Sequence, residues 1–533
     1  MDFTHLIVGG GAAGCVLAAR LSEDPALRVC LIEAGPSRGG TLVSCPAGLA
    51  VTVPSRLYNW AFQTEPQAGL NGRRGYQPRG KVLGGSSAIN AMVYIRGHPQ
   101  DYDDWAALGN PGWGWDDVLP VFRATENNER LADAFHGRGG PLNVADLRTD
   151  NAFTPHFIQA AQQAGWSHNP DFNGARQEGV GNYQVMQRGG ERCSVARAYL
   201  EPVLGRANLH LISEAQVLGV LLEGRRAVGV SYRQGGRTHA LRTQGEVLLC
   251  AGALQTPQLL LLSGIGPAAE LLRHGIPVAH SLPGVGRNLQ DHVDYVLAYR
   301  SPSPGLVGIS PRCLVPAVQA FRRYRQERRG LLTSNYAEAG GFIHSTPSPR
   351  AEPDRPDLQL HLVISLLEDH ARKRTLGMGF SCHVCLLRPR SRGSVTLHST
   401  DPLAPPRIDP RFLEDPQDMS TLVRGFRVTR TLLEMPALDP WRGAPMHHGA
   451  LQTDAQIEDS IRQRADTIYH PVGTCRMGPA ADPDAVVDAQ LRVHGIAGLR
   501  VVDASIMPTL VGGNTTAPVV MIAEKAARYL LRK

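Results

Sequence analysis

The sequence predicts a mixed α/β fold in which strands and helices alternate along the chain. Residues 6–8 form a short apolar run that is typical of a buried parallel strand, and a helical stretch and a second apolar run at residues 29–32 follow it. Residues 246–266 have the same pattern of buried strand, turn of small residues and helix. Residues 498–505 predict another strand ending in an acid, and a helix is expected from about residue 519 to 531.

The turn after the first strand carries a spaced glycine motif, Gly9-x-Gly11-x-x-Gly14. Gly9 permits the tight turn, Gly11 lets the backbone approach a pyrophosphate, and Gly14 lets the helix pack closely on the strand. The free N–H groups and the positive end of the helix dipole stabilise phosphate charge. Glu33, 19 residues after Gly14, is placed to accept hydrogen bonds from a ribose diol. The complete unit predicts a bound dinucleotide rather than an ordinary glycine-rich turn.

Composition is typical of a large enzyme and excludes a nucleic-acid-binding class. The chain has 533 residues, of which 42% are hydrophobic, enough for one extensive core and a second region. The formal charge is +7, but the basic residues are spread along the chain, with only short clusters at residues 322–325 and 372–374. Basic and aromatic residues do not alternate as they do in single-strand binders. We expect a solvated surface with, at most, loose attraction to anionic lipid.

The sequence contains no apolar stretch of about 18 residues, so no membrane-spanning segment is predicted. A secretory signal is not expected, and nine cysteines are too sparse for a disulfide framework, which favours a reducing compartment. We therefore expect a cytoplasmic protein, with peripheral attachment to the inner membrane as an alternative. Cys382 and Cys385 have redox or metal spacing but lie in an apolar run, which favours a buried strand. No metal site is predicted, because a zinc site at His470 and Cys475 would lack further ligands.

Segments spread along the whole chain contribute to the predicted dinucleotide domain. Residues 80–94 contain paired glycines and serines whose backbone donors suit an extended cofactor, with a flexible surface loop as the alternative. Alternating strands are expected at about residues 208–217, 227–232 and near 241. We assign to this domain the segments 1–150, 200–290 and 466–533. The segments 151–199 and 291–465 remain for a substrate-binding domain.

Taken together, these segments resemble the glucose–methanol–choline (GMC) oxidoreductase family, most closely its choline-dehydrogenase-like alcohol dehydrogenases. Residues 80–94 and 252–266 are similar to the family's two signature stretches, and the two ends of the chain are similar to its FAD-binding start and catalytic close. The resemblance implies FAD as cofactor and an alcohol as substrate. It also implies a Rossmann-like FAD-binding domain built from discontinuous segments, beside a PHBH-like substrate domain of mixed sheet and helices.

The chemistry is expected in residues 469–478 and 512–518. Oxidising an alcohol requires a base for the hydroxyl proton and a donor that holds the developing alkoxide, while the flavin N5 takes the hydride. The resemblance implies His470 as the base and Asn514 as the donor.

Cofactor contacts are carried over from the resemblance by position. The resemblance assigns to FAD Gly9, Gly11, Gly14 and Glu33 (the ADP half), Val82, Asn90 and Val93 (the flavin-wrapping segment), Val217 (adenine), and Ala504 and Thr515 (the ribityl chain and ring). Family members that tether FAD use a histidine just before this asparagine. This chain has Ile89 there, so noncovalent FAD is expected.

A neutral primary alcohol, aliphatic or of the polyethylene-glycol type, is favoured over choline as the substrate. Choline would need an aromatic cage and a carboxylate, whereas Tyr58, Trp60 and Phe62 stand where the family packs the flavin. The basic run at residues 370–374 would repel a cation if it bordered the site, and residues 382–392 resemble branch members acting on aliphatic or polyethylene-glycol alcohols. Electrons are expected to pass to a quinone or a similar acceptor. Choline dehydrogenase, an alcohol oxidase using O2, a hydroxynitrile lyase and a noncatalytic flavoprotein remain alternatives.

Overall fold

The computed structural model describes residues 3–303, 305–346 and 355–531, in which helices and strands are numbered in chain order. The α-helices are α1 Ala12–Leu21, α2 Gly40–Ser44, α3 Leu49–Thr52, α4 Pro99–Ala107, α5 Trp115–Thr125, α6 Phe153–Gln163, α7 Gly252–Leu262, α8 Ala268–Arg273, α9 Leu314–Glu327, α10 Pro416–Leu433, α11 Asp454–Arg464 and α12 Thr516–Leu531.

The strands of the first half are β1 Phe3–Val8, β2 Val29–Ile32, β3 Phe62–Gln63, β4 Tyr76–Gln77, β5 Glu126–Asn128, β6 Leu142–Val144, β7 Gly179–Asn182, β8 Gln187–Arg188, β9 Glu191–Arg192, β10 Leu209–Ile212, β11 Ala215–Glu223, β12 Arg226–Gln234 and β13 Arg237–Leu249. Those of the second half are β14 Ile265–Gly266, β15 His280–Ser281, β16 Val293–Arg300, β17 Gly308–Ile309, β18 Ala337–Ile343, β19 Leu358–Val363, β20 Gly377–Leu386, β21 Ser394–Thr396, β22 Arg407–Asp409, β23 Pro445–Met446, β24 Asp466–Thr467 and β25 Leu499–Val501.

The first large sheet has seven strands in the order β10-β2-β1-β13-β12-β11, with β25 also paired to β13. Strands β10, β2, β1, β13 and β25 pair in parallel. The first part of β13 instead pairs antiparallel with β12, which in turn pairs antiparallel with β11. β1 and β2 are buried almost throughout, which explains their continuous apolar sequences. The predicted α/β fold class and the strand–turn–helix–strand start are confirmed.

The second large sheet is antiparallel, in the order β23-β16-β20-β19-β18-β7, with β17 and β24 attached to β20 and β16. Successive side chains of a strand point to opposite faces. In β19, Leu358, Leu360 and Leu362 belong to a hydrophobic core that also includes residues of α6 and α10. Gln359 and His361 therefore lie on the other face. Strand β20 contains the predicted apolar run from residue 382 and is buried, so the expectation of a buried strand there is confirmed.

α12 begins at Thr516, earlier than expected, because Pro518 lies in its first turn, where a helix needs no backbone N–H donor. All nine cysteines are unpaired. The division into two domains at the residues assigned above stays a prediction. Within the described ranges, no helix is both long and apolar enough to cross a bilayer.

Candidate active site

A cavity lies at the carboxyl ends of the parallel strands, where Val8, Ile32 and Cys250 line it. Six of the predicted cofactor contacts line it, namely Gly9, Gly11, Glu33, Val217, Ala504 and Thr515. Gly14 lies beneath it, where a Cβ would come 2.0 Å from the carbonyl oxygen of Gly9. Only glycine therefore allows α1 to pack this closely against the turn that follows β1.

The first part of this cavity has the shape and donors that a dinucleotide requires. A Cβ added to Gly11 would have one protein neighbour, the Cys250 carbonyl oxygen, 3.9 Å away. Such a Cβ would therefore occupy cavity space that the glycine leaves open. The Glu33 carboxylate is buried and accepts hydrogen bonds from the backbone N–H groups of Gly10 (2.8 Å) and Gly35 (2.7 Å). Burial raises the pKa of Glu33 to about 7. Two carboxylate oxygens can accept further bonds, so the residue fits a ribose diol.

A second cavity of about 380 Å³ adjoins the first. Arg79, Ser86, Thr515 and Thr516 line both. The wall of the second cavity is mostly aliphatic and includes Leu49, Val53, Ile89, Val93, Val307, Ile309, Val363, Leu366, Leu367 and Ile468.

The remaining predicted cofactor contacts lie outside the first cavity. Asn90 and Val93 line the second cavity rather than the first. Val82 lines neither cavity. Its side chain is buried, and its backbone packs closely against Gly35: a Cβ added to Gly35 would lie only 2.5 Å from the Val82 backbone nitrogen.

His470 and Asn514 lie side by side in the wall of the second cavity. Asn514 Nδ2 is 3.2 Å from His470 Nε2, although 44 residues separate them in sequence. On the other side of the ring, His470 Nδ1 is 3.0 Å from Nδ1 of His292. The His470 backbone N–H donates to Asp291 Oδ1 at 2.9 Å. His470 as a whole is 7% exposed. The structure thus brings the two predicted catalytic residues together and adds His292 as a direct neighbour.

The backbone that carries His470 is held from two directions. Tyr469 has a left-handed φ of 79°, and its carbonyl oxygen accepts a hydrogen bond of 2.8 Å from Arg79. Asp291 also accepts hydrogen bonds from Thr467 Oγ1 (2.6 Å) and Gln77 Nε2 (2.9 Å). Burial raises the pKa of Asp291 to about 6. These contacts fix where the His470 ring can lie.

The loop that carries Asn514 is anchored at Gly512. The Gly512 N–H donates to Asp101 Oδ2 at 2.7 Å, and its carbonyl oxygen accepts from Gln177 Nε2 at 3.0 Å. Asp101 is fully buried against the guanidinium groups of Arg355 and Arg388. Their charges keep the pKa of Asp101 low although burial alone would raise it. The loop is therefore pinned two residues before Asn514.

A hydrogen-bond chain that ends at a backbone carbonyl determines the tautomer of His470. His292 Nε2 lies 3.3 Å from the Leu387 carbonyl oxygen, which can only accept, so this nitrogen carries the His292 proton. Burial lowers the pKa of His292 to about 3, so the ring is neutral and its Nδ1 is an acceptor. His470 Nδ1 must then carry the proton between the two rings. Burial, with smaller contributions from His292 and Arg79, also lowers the pKa of His470 well below its usual value.

A second chain reaches the same nitrogen through Asn514. The Tyr183 hydroxyl donates to the Leu360 carbonyl oxygen at 2.6 Å, so its oxygen accepts from Gln359 Nε2 at 3.3 Å. Gln359 Nε2 also donates to Asn514 Oδ1 at 3.2 Å. Asn514 Nδ2 is thereby turned towards His470. Both chains leave an unprotonated Nε2 on His470, facing a hydrogen-bond donor.

Three further histidines, His361, His370 and His383, line the second cavity. Burial lowers the pKa of His361 well below its usual value; His383 and His470 act in the same direction, and Asn514 partly opposes them. His383 lies directly opposite His361 in the pairing of β19 with β20. Its Nδ1 contacts the carboxylate of Asp294, whereas its Nε2 is buried without a hydrogen-bond partner.

Sequence reasoning missed His292, Gln359, His361 and His383. Residues 358–362 do carry a usable signal, because Gln and His alternate there with three leucines, as expected for a strand with one polar face. His383 stands likewise inside an apolar run. Alternation shows that such side chains share a face, but not what that face borders.

Comparison with known proteins gives matches over nearly the whole chain. The family described as GMC oxidoreductase matches residues 3–294 with its N-terminal part and residues 389–523 with its C-terminal part. The chain is 49% identical to an alcohol dehydrogenase [acceptor] of Pseudomonas putida over 535 aligned residues, covering 100% of this chain and 96% of that protein. It is 42% identical to the mitochondrial choline dehydrogenase of Homo sapiens, covering 99% and 89%.

A solved structure agrees with these matches. The formate oxidase of Aspergillus oryzae RIB40, studied for the modification of its FAD, superposes with a TM-score of 0.91 at 27% identity, covering 99% of this chain and 98% of the other.

Proposed function

The chain belongs to the GMC oxidoreductase family, whose cofactor is FAD, and from this premise we propose that it oxidises a primary alcohol to the aldehyde. When bound, FAD supplies the hydride acceptor at the flavin N5. The protein must bind the cofactor, remove the hydroxyl proton and stabilise the developing alkoxide. The electrons then pass to a quinone or a similar acceptor.

We assign the first cavity to FAD. Gly11 and Glu33 support the assignment most directly, because the open space at Gly11 suits a pyrophosphate and the Glu33 carboxylate suits a ribose. The other proposed contacts are Gly9, Gly14, Val82, Asn90, Val93, Val217, Ala504 and Thr515. Ile89, which lines the second cavity, offers no atom for a covalent link. FAD is therefore proposed to bind noncovalently.

We assign the role of general base to His470 Nε2. Burial lowers the pKa of His470 well below its usual value, which favours an unprotonated Nε2 that can accept a proton. The hydroxyl proton moves to this nitrogen, and the His470 Nδ1–H remains hydrogen-bonded to His292 as the ring becomes positive. Without substrate, Asn514 Nδ2 lies 3.2 Å from His470 Nε2; we propose that the bound hydroxyl takes its place on that nitrogen and that the Asn514 N–H then donates to the substrate oxygen as charge develops there.

The composition of the second cavity carries the proposal of a neutral substrate. Its described lining contains no aspartate and no glutamate, and aliphatic side chains make up much of it. A quaternary ammonium group would be desolvated there without a compensating carboxylate. His370 and Ala371 line the cavity, so the run at residues 370–374 borders it; Arg372 and Lys373 are paired with Asp369 and Glu368, and Arg374 is exposed without an ion-pair partner among the described residues. We therefore favour aliphatic or polyethylene-glycol-type alcohols.

Choline remains the second candidate because Tyr336 and Tyr469 also line the cavity. Two aromatic rings can hold a cation through cation–π contacts. The 42% identity to a protein named choline dehydrogenase points the same way.

Anaerobic stopped-flow mixing with a series of C2–C10 1-alkanols, glycol ethers and choline tests the proposal. We expect apparent affinity to improve by up to about 0.8 kcal/mol per buried methylene until the pocket is full. Choline reducing the flavin tenfold faster than every alkanol would overturn the substrate assignment. If no alcohol reduces the flavin, the reaction class is wrong and a lyase becomes the better hypothesis. Admitting oxygen to the reduced enzyme then separates oxidase from dehydrogenase.

The catalytic assignments are tested by His470→Ala and Asn514→Ala. His470→Ala should slow flavin reduction by about two to four orders of magnitude, the usual contribution of a general base, with FAD content unchanged. Asn514→Ala should slow it less, because it removes only a neutral donor to the alkoxide. A rate near wild type in His470→Ala would exclude it as the base.

A further inference from the structure

Arg192, the last residue of β9, is a buried arginine without a carboxylate partner. The residue is 2% exposed, and no carboxylate among the described residues lies within ion-pair distance of its guanidinium. Burial lowers the pKa of Arg192 to about 9, so the group still carries its charge at neutral pH. Arginine is almost never fully buried unless it is paired, because an uncompensated buried charge is destabilising. A charge kept at this cost indicates a function.

The guanidinium donates to a segment that borders both cavities. Its Nη1 donates to the Asn90 carbonyl oxygen at 2.6 Å, to the Asn90 amide oxygen at 3.0 Å and to the Ser87 carbonyl oxygen at 3.3 Å. Ser87 lines the first cavity and Asn90 lines the second. Arg192 itself lines neither. The charge therefore lies directly behind the wall, close to where the two cavities adjoin.

Asn90 connects this charge to the junction of the cavities. Its amide oxygen accepts from Arg192 Nη1 and from the Met92 N–H at 3.0 Å, and its amide nitrogen donates to Thr516 Oγ1 at 3.1 Å. Thr516 lines both cavities and begins α12. The arginine thus fixes the orientation of the Asn90 amide and polarises it.

The proposed function places the reactive end of FAD at the same junction. FAD is assigned to the first cavity and His470 lies in the second, so hydride transfer takes place where the two cavities adjoin. A hydride brings two electrons and one proton, and it therefore adds one negative charge to the flavin ring. A positive charge held in the protein interior stabilises that added charge more than a solvated one would.

We propose that Arg192 raises the reduction potential of the bound flavin from behind Asn90, without touching the cofactor. It is therefore a positioning residue, and the inference rests on the proposed FAD site. An arginine that only builds this segment needs its hydrogen bonds, whereas one that tunes the flavin needs its charge. Substitutions that remove the charge and substitutions that keep it separate these two roles.

Sulfite titration and potentiometry of the FAD-loaded protein test the inference. Sulfite adds to the flavin N5 and, like hydride, leaves negative charge on the ring, so its dissociation constant reports the same electrostatics without turnover. Arg192→Gln and Arg192→Met remove the charge. Each should weaken sulfite binding about tenfold and lower the midpoint potential measured against a reference dye. Arg192→Lys keeps the charge and should remain close to wild type in both measurements.

Arg73→Gln is the matched control. The Arg73 guanidinium also donates to backbone carbonyl oxygens, those of Arg462 and Ala465, and burial also lowers the pKa of Arg73. Arg73 lines neither cavity, and no bond joins it to the segment that carries Asn90. Sulfite affinity and midpoint potential should both stay at their wild-type values.

Three results would overturn the inference. The first is wild-type sulfite affinity and potential in both neutral variants. The second is an equal loss in Arg192→Lys, which would assign the effect to the hydrogen bonds rather than to the charge. The third is loss of FAD from both neutral variants, which would make Arg192 a residue that builds the site. A wild-type protein that binds no FAD would refute the proposed function, and this inference with it.

Discussion

Replacing His292 by leucine tests the proton arrangement around His470. The His292 ring is fully buried, donates to the Leu387 carbonyl oxygen at 3.3 Å and faces His470 Nδ1 at 3.0 Å. Leucine fills a similar space but cannot accept a hydrogen bond. His470 Nδ1–H then loses its acceptor, and the tautomer that leaves Nε2 unprotonated is no longer favoured.

The size of the effect follows from the hydrogen bond that is lost. When His470 takes the substrate proton, its ring becomes positive and the bond to His292 becomes charge-assisted, worth about 1.5–3 kcal/mol. Since about 1.36 kcal/mol corresponds to tenfold in rate, His292→Leu should reduce flavin about 10- to 150-fold more slowly. His292 is a positioning residue with no assigned substrate contact, so the apparent dissociation constant of the alcohol should change little.

The assay is anaerobic stopped-flow reduction over a range of alcohol concentrations, which separates the limiting rate from affinity. His448→Leu is the matched control, because His448 is also buried and also donates to a backbone carbonyl, that of Ala298, at 3.0 Å. It should lose stability but keep its reduction rate. A rate in His292→Leu within twofold of wild type, or an equal loss in His448→Leu, would refute the proton arrangement.

Three more predictions concern the cofactor and pH. Glu33→Gln should weaken FAD binding to the apoprotein about 10- to 150-fold. The affinity of the wild type for FAD should also fall as pH drops below the Glu33 pKa of about 7, because a protonated carboxyl is a poorer acceptor. Equal affinities of the two proteins in titration calorimetry would remove Glu33 from the site. Burial lowers the pKa of His448 to about 4, so the contribution of this residue to stability is complete above pH 6.5 and is lost as pH falls to about 4. Between pH 7 and 4, the free energy of unfolding in urea should therefore fall by roughly 3 kcal/mol more for the wild type than for His448→Leu. Parallel curves of stability against pH would contradict this. Acid denaturation should release all flavin as free FAD, since Ile89 cannot form a link, and colour retained in the precipitate would show a covalent bond.

The cofactor-binding start of the chain was predictable because all its parts are close together in sequence. The strand, the glycine turn, the helix and Glu33 lie within about 30 residues, and each has a backbone requirement that a residue type reveals. The structure confirms the elements and places Gly9, Gly11 and Glu33 on one cavity. Val82, which was assigned to the cofactor by its position in a long loop, lines neither cavity, because sequence position in a loop does not determine which cavity a side chain borders.

The candidate active site was predictable only in part. His470 and Asn514 were expected from resemblance, but the neighbours that set their protons were not. His292 is 178 residues from His470, and Gln359 is 155 residues from Asn514. Nothing local to either pair distinguishes these residues from the chain's other histidines and glutamines.

The sequence by itself determined the fold class and the dinucleotide motif, because glycine spacing and apolar periodicity act over a few residues, and its resemblance to the GMC family supplied the two candidate catalytic residues. Only the tertiary structure decided which nitrogen of His470 is unprotonated and what lines the second cavity. Those properties depend on the register of β19 against β20 and on loops that close over more than a hundred residues. Hydrogen-bond partners are chosen by proximity in space, and proximity between distant segments is a property of the folded chain alone.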